Sequence, residues 1–276
     1  MQNLMDAKTL AYINMFGVLG TLENLCDLVP EATEIIKDQK PISIGFDVKG
    51  GPAATLFFKN GKCRMEQGCG ACDVKLPFSS PEKFNGLIDG TVTPIPSKGF
   101  THISFLLKKF TPLTDVLSKY MRASEEDLKD PVFFERSTRL MLYTIGVAIA
   151  QIGNNDEIGK FSASHIIDGS VYIGIENDIG VELICKDNRL VTVKKPPEKY
   201  RAAMIFDSIE TARALFDGKV NALTCIGTGK IEMHGMVNML DNVNRILDRV
   251  ALYLASRGIW NVFSIIYNYK IRRMVW

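Results

Sequence analysis

Apolar positions recur along this chain with two different periods, and where one period gives way to the other marks its elements. From 236 to 254 apolar residues recur at Met236, Met239, Leu240, Val243, Ile246, Leu247, Val250, Ala251 and Leu254. Spacings of three and four gather them on one stripe of a helix, with Asp241, Asn244, Arg245, Asp248 and Arg249 on the other face. Residues 8–37 and 125–151 also read as helical, the second opened by Ser124-Glu-Glu-Asp127 as a capped start. Short runs rich in β-branched and aromatic residues at 42–48, 53–59 and 63–67 predict strands, with turns at Gly50-Gly51 and Asn60-Gly61. An Asn-Gly pair between two apolar runs is a strong hairpin signal. Runs at 171–176, 181–185 and 190–194 follow the same plan, with turns at Asn177-Asp178 and Asp187-Asn188. A fourth strand leads into Phe78 and, later, into Phe206. Each leads on to a short helix: Ser80 as N-cap, Pro81 at the first helical position and Gly90 past the end, with Ser208 and Gly218 in the same places. A further strand is predicted at 102–107 and at 230–234.

The two halves of this plan are alike in sequence. Leu76-Pro-Phe-Ser-Ser-Pro-Glu-Lys-Phe-Asn-Gly-Leu-Ile-Asp-Gly-Thr-Val92 aligns without a gap on the segment from Met204 to Val220, and seven of the 17 pairs are identical, Phe78/Phe206 and Gly90/Gly218 among them. Upstream, Ile44-Gly45-Phe46 is read against Ile173-Gly174-Ile175. Downstream, Leu113, Val116 and Leu117 are read against Val243, Ile246 and Leu247. Turn residues match as well as core residues, which predicts two copies of one unit, 1–123 and 124–276. The expected fold class is α+β, each unit a mainly antiparallel sheet covered by helices.

The order of strands, capped helix, strand and long amphipathic helix resembles the sterol carrier protein 2 (sterol-transfer) family, in a bacterial-type chain with two tandem copies. The residues that carry the resemblance are Phe206-Asp-Ser-Ile-Glu210 at a helix entry, Phe216-Asp-Gly-Lys219 at its exit, and Gly229-Lys-Ile-Glu-Met-His-Gly235 as a glycine-flanked strand. It covers about 80 residues of the second copy well. In the first copy Ser97-Lys-Gly-Phe100 lacks the strand's second glycine, and the chain ends Met274-Val-Trp276 without the peroxisomal tripeptide of some members. The resemblance implies a hydrophobic tunnel between sheet and helices that holds a lipid or acyl chain, and no catalytic residue.

Composition narrows the function further. Lys and Arg (33) nearly balance Asp and Glu (31), so no basic surplus points to a nucleic acid. Mean hydropathy is +0.06, high enough to predict a large core or apolar surface that faces a cavity or a partner. Asn14, Gln151 and Asn154 interrupt the longest apolar stretches, which fall short of the ~20 residues of a bilayer helix. Asp6 and Lys8 precede the first of them, unlike a signal peptide. Six cysteines are too few for a disulfide scaffold, and a reducing cytoplasm is the expected compartment.

Familiar catalytic motifs fail. None of the Gly-Lys pairs is followed by Ser or Thr as in a phosphate-binding loop, and Gly227-x-Gly229 lacks the third glycine of a dinucleotide site. His102, His165 and His234 have no counterparts in the repeat and no triad partners. Cys63, Cys69 and Cys72 form the sharpest polar cluster, but a tetrahedral zinc site needs four ligands and no second Cys-x-x-Cys exists. No metal and no cofactor are therefore expected. Lys194-Lys195-Pro-Pro-Glu-Lys199 reads as a solvated turn. The aromatic segment 259–276 can cover a cavity mouth, pack between the copies or mediate a homodimer. The resulting expectation is a cytoplasmic, non-enzymatic carrier of a lipid or other elongated hydrophobic molecule. Its site is expected in the second copy, at Met204, Phe206, Ile231, Met233, Met236, Met239, Leu240, Val243 and Leu247. The alternatives are a protein-interaction module with a filled core that forms a homo-oligomer, or a redox or metal-sensing protein using the cysteines.

Overall fold

The alternating run at 42–48 becomes the central strand of a four-stranded sheet in the computed structural model, which describes residues 5–255. The chain divides into two units, Met1–Leu140 and Met141–Trp276. The division falls later than the 123/124 boundary read from the repeat. Residues 131–140 pack on the first unit: the Phe133 ring stacks on Tyr120 at 4.2 Å, and Ser137 Oγ donates to the Tyr120 carbonyl at 2.7 Å.

In the first unit, Asp6 caps α1 (Ala7–Tyr12) by accepting from the amides of Lys8 and Thr9. The chain continues through a π turn (Ile13–Val18) and a 3-10 turn (Leu19–Thr21) into α2 (Leu22–Leu28). The predicted 8–37 helix then breaks at Val29, whose extended backbone precedes Pro30 at the start of α3 (Pro30–Ile36). Strands β1 (Ile42–Val48), β2 (Ala53–Lys59), β3 (Lys62–Gln67) and β4 (Val74–Phe78) lie in the order β3-β2-β1-β4. Only the β1–β4 pair is parallel. The register puts Ile44, Phe46 and Val48 on one face with Leu56, Val74, Leu76 and Phe78, all buried. After α4 (Pro81–Ile88) comes a single bridge between Lys75 and Lys98.

The strand predicted at 102–107 is not formed. Gly99 turns the chain in the left-handed region (φ 87°), packed so closely that a Cβ there would meet the Asp73 carbonyl oxygen. From there the chain is helical: a 3-10 turn (Phe100–His102), α5 (Ile103–Phe105), a π turn (Leu106–Phe110) and α6 (Thr111–Met121). Phe105 and Phe110 thereby reach the core face of the sheet, at 5.5 and 6.1 Å from Phe58, and Phe110 lies 6.2 Å from Phe46.

The helix α7 (Pro131–Asn155) crosses the division at 140/141; in the second unit it ends, and α8 (Glu157–Ala163) begins, at Asp156. Strands β5 (Gly169–Ile175), β6 (Gly180–Lys186), β7 (Arg189–Val193), β8 (Ala202–Phe206) and β9 (Ile231–Gly235) make a sheet of order β7-β6-β5-β8-β9. Between β8 and β9 lie α9 (Ile209–Phe216) and α10 (Ala222–Gly227), and α11 (Val237–Ala255) follows β9. Again one pair, β5–β8, is parallel. Thus each unit is α+β, a mainly antiparallel sheet with helices.

Backbone bonds fix which residues correspond. Lys49 donates to the Phe78 carbonyl as Glu176 does to that of Phe206, and Val48 donates to Pro52 as Ile175 does to Ile179. Ile173-Gly174-Ile175 therefore corresponds to Phe46-Asp47-Val48, two residues along from the 44–46 pairing read in the sequence. A two-residue shift keeps every side chain on its face, so hydrophobicity alone does not reveal it.

Candidate functional site

The second sheet builds its site from one face. Ile173 pairs with Met204 and Met204 with Met233, while Phe206 pairs with Ile231, so these five side chains share a face. Leu142 and Ile145 of α7, Leu215 and Phe216 of α9, and Leu240 and Leu247 of α11 complete the walls of a cavity of about 860 Å³. That volume lies within the ~300–1,000 Å³ typical of small-molecule pockets. Of these side chains Met233 is exposed and Leu247 half-buried, the others are buried, and Phe206 meets Phe216 edge-on at 5.9 Å. Leu223 of α10 and Val237 of α11 stand at the rim, 78% and 73% exposed. Polar groups also line it: Asn221, Thr224, Asp241, Asn244 and Asp248. Asn221 caps α10 by accepting from the amides of Leu223 and Thr224, and Asp241 pairs with Arg245 at 3.1 Å.

Of the residues expected at the site, Met204, Phe206, Ile231, Met233, Leu240 and Leu247 line the cavity. Met239 and Val243 are fully buried but do not line it, and Met236, just before α11, is 42% exposed. The helical stripe is wider than the cavity wall, which periodicity cannot resolve. Reading the sequence missed Ile173 of β5 and α7, α9 and α10 as walls. Asn221 before an apolar run was a legible cap for α10. The contribution of Leu142 and Ile145 depends on tertiary packing and had no local signal.

Arg249, placed on the polar face of its helix by the sequence, is buried. Its guanidinium donates to both carboxylate oxygens of Asp156, at 3.2 and 2.6 Å, and Tyr253 Oη donates to the same carboxylate at 2.8 Å. Asp156 also accepts from the Gly159 amide, which caps α8. Burial pushes the Asp156 carboxyl up, but the bonds from Arg249, Gly159 and Tyr253 outweigh it and hold the group below its ordinary range. This pair ties α11 to the α7–α8 corner, opposite in character to the apolar wall.

The three-cysteine cluster does not assemble. Cys63 pairs across the strands with Phe58 and so lies on the core face, where Cys26 is its neighbour; that contact, with burial, raises its thiol pKa. Cys69 and Cys72 lie on the opposite face, over Gly45. Among the described residues no group of three or more His, Cys, Asp or Glu side chains could hold a metal ion. His234 bonds Glu232 at 3.0 Å, and His165 bonds the Phe161 carbonyl at 2.7 Å. No described helix is long and apolar enough to cross a membrane. The aromatic segment 259–276 lies outside the described residues.

No protein-family model matches the chain, and no curated protein matches its sequence. Solved structures similar to it include sterol carrier domains. A UbiJ-SCP2 ubiquinone synthesis protein is 10% identical over 41% of this chain and 93% of its own, with a TM-score of 0.32. The sterol carrier protein domain 2 of Helicoverpa armigera is 16% identical over 40% of this chain and 87% of its own, at 0.33. A stereoselective inverting sec-alkylsulfatase from Pseudomonas sp. is 13% identical over 46% of this chain but only 16% of its own, at 0.28.

Proposed function

We propose that the chain is a non-catalytic binding or carrier protein for a lipid or another elongated hydrophobic molecule, held in the second unit. The observation that carries this reading is the cavity of about 860 Å³ whose floor is Ile173, Met204, Phe206, Ile231 and Met233. The sequence resemblance to the sterol carrier family, read as two tandem copies, supports the same function. Affinity would come from removing methylene groups from water, each worth about 0.8 kcal/mol. The polar side chains along the lining would orient a headgroup. Leu223 and Val237 offer an apolar sill over which such a molecule passes. The working compartment is the cytoplasm.

Native mass spectrometry of the purified protein tests this. A co-purifying apolar molecule, or stoichiometric uptake of added oleate by stripped protein, is expected. A ligand-free homo-oligomer that takes up no oleate would instead make this an interaction module.

A further inference from the structure

The outer face of the first sheet carries a feature that the carrier reading does not use. A Cβ built on Gly45 would lie 2.5 Å from Cys69 Sγ and 2.7 Å from Cys72 Sγ. Both sulfurs therefore converge above this one residue of β1. Any side chain at position 45 would occupy their place. At the corresponding position of the second unit stands Tyr172, whose ring fills that face over Gly174 and Gly180.

Hydrogen bonds hold the chain just before Cys69 and at Cys72. The amide of Gly68, just before Cys69, donates to the Ala53 carbonyl at 2.8 Å, and its own carbonyl accepts from Thr55 Oγ1 at 2.9 Å. The Cys72 carbonyl accepts from Lys98 Nζ. Nearby carboxylates are engaged elsewhere: Asp73 accepts from both the amide and the hydroxyl of Ser43 at 2.7 Å, and Asp47 pairs with Lys75 at 2.8 Å. Cys72 is buried while Cys69 is half-buried, so solvent reaches the pair from one side. The donor set is thus two thiols, which no further His, Cys, Asp or Glu side chain joins among the described residues.

A two-sulfur set fails the tetrahedral demand of zinc and suits a soft cation that accepts linear coordination. We propose that Cys69 and Cys72 form a two-coordinate site for a soft monovalent cation of the Cu(I) type. Binding breaks the two S–H bonds, forms two S–metal bonds and releases two protons to solvent; the oxidation state of metal and sulfur is unchanged. Cys26 and Cys63 are a second thiol pair, but at 1% and 3% exposure they lie within the core.

The test is anaerobic competition of the full, reduced chain against the Cu(I)–bicinchoninate complex, with X-ray absorption on the loaded protein. The wild type should withdraw one Cu(I) per chain, bound by two sulfurs. Cys69→Ser and Cys72→Ser should each withdraw none, and Cys63→Ser should behave as wild type. Gly45→Ala keeps both ligands but displaces them, and should weaken binding about tenfold, as a disturbed supporting shell does. Circular dichroism of each variant separates loss of the site from loss of the fold. No withdrawal by the wild type, withdrawal retained in a Cys69→Ser/Cys72→Ser double variant, or a third protein donor in the spectrum would each overturn the assignment.

Discussion

In the first unit the core face of the sheet is closed by rings: Phe46, Phe58, Phe84, Phe105 and Phe110 lie in a chain of contacts from 5.5 to 6.3 Å. In the second unit the corresponding face borders a cavity of about 860 Å³. The strand order and the single parallel pair are common to both, so the difference lies in the segment after the capped helix. Where β9 extends the second sheet, the first unit has one bridge and then a helix that brings Phe105 and Phe110 inward. One architecture thus borders either a ring-packed core or a cavity, and the two units differ in the segment that follows the capped helix.

The largest effect is expected where the second unit depends on charge. Asp156→Ala removes the buried carboxylate that accepts from Arg249, Tyr253 and Gly159 and should cost about 3–5 kcal/mol in urea unfolding. The pH dependence follows from the depressed carboxyl. Its contribution is complete above the ordinary aspartate pKa of about 3.9 and is lost as pH falls below that value towards the lower folded-state pKa. Acid unfolding should therefore begin earlier in Asp156→Asn than in the wild type. Coincident acid transitions would remove the pair from the account.

A comparable loss is expected from opening the packed core. Phe105→Ala removes a buried ring and should cost about 3–5 kcal/mol in equilibrium unfolding. A loss below 1 kcal/mol would mean that the first core is as loosely filled as the second.

How much of this was legible in the sequence depends on the element. The strands around Asn60-Gly61 and Asp187-Asn188 are carried by local turn chemistry, and all four of these residues take positive φ. The helix from 237 was legible from its period, and Ser208 caps α9 as expected by accepting from the Thr211 amide. The predicted strand at 102–107 failed because its apolar run fits either period, and the turn at Gly99 chose helix. The site was half legible: Met204, Phe206, Ile231 and Met233 alternate on strands, so their shared face follows from period two. Met239 and Val243 share the helical stripe with Leu240 but point elsewhere, a distinction that depends on packing against neighbours distant in sequence. The Asp156–Arg249 pair, 93 residues apart, had no local signature.

A smaller effect sharpens the comparison position by position. Leu76 and Met204 occupy corresponding places on the core faces of their sheets. Leu76→Trp should cost about 1–3 kcal/mol, because the first core has no room for the larger ring. Met204→Trp should cost under about 1 kcal/mol, since the cavity accommodates it. Paired urea curves decide this, and equal costs would contradict the contrast. The smallest change belongs to the rim: Leu223→Ser, at a site 78% exposed, should stay within about 0.5 kcal/mol of wild type and alter only the rate of ligand uptake in stopped-flow measurements.

The central claim is that the second unit, and not the first, holds an apolar ligand. Titration of a fluorescent long-chain fatty acid into the wild type, Met204→Trp and Leu76→Trp, each verified as folded, tests it most directly. The account predicts saturable uptake of one probe per chain, abolished by Met204→Trp and retained by Leu76→Trp. No saturable uptake by the wild type, or loss in Leu76→Trp with retention in Met204→Trp, would contradict it.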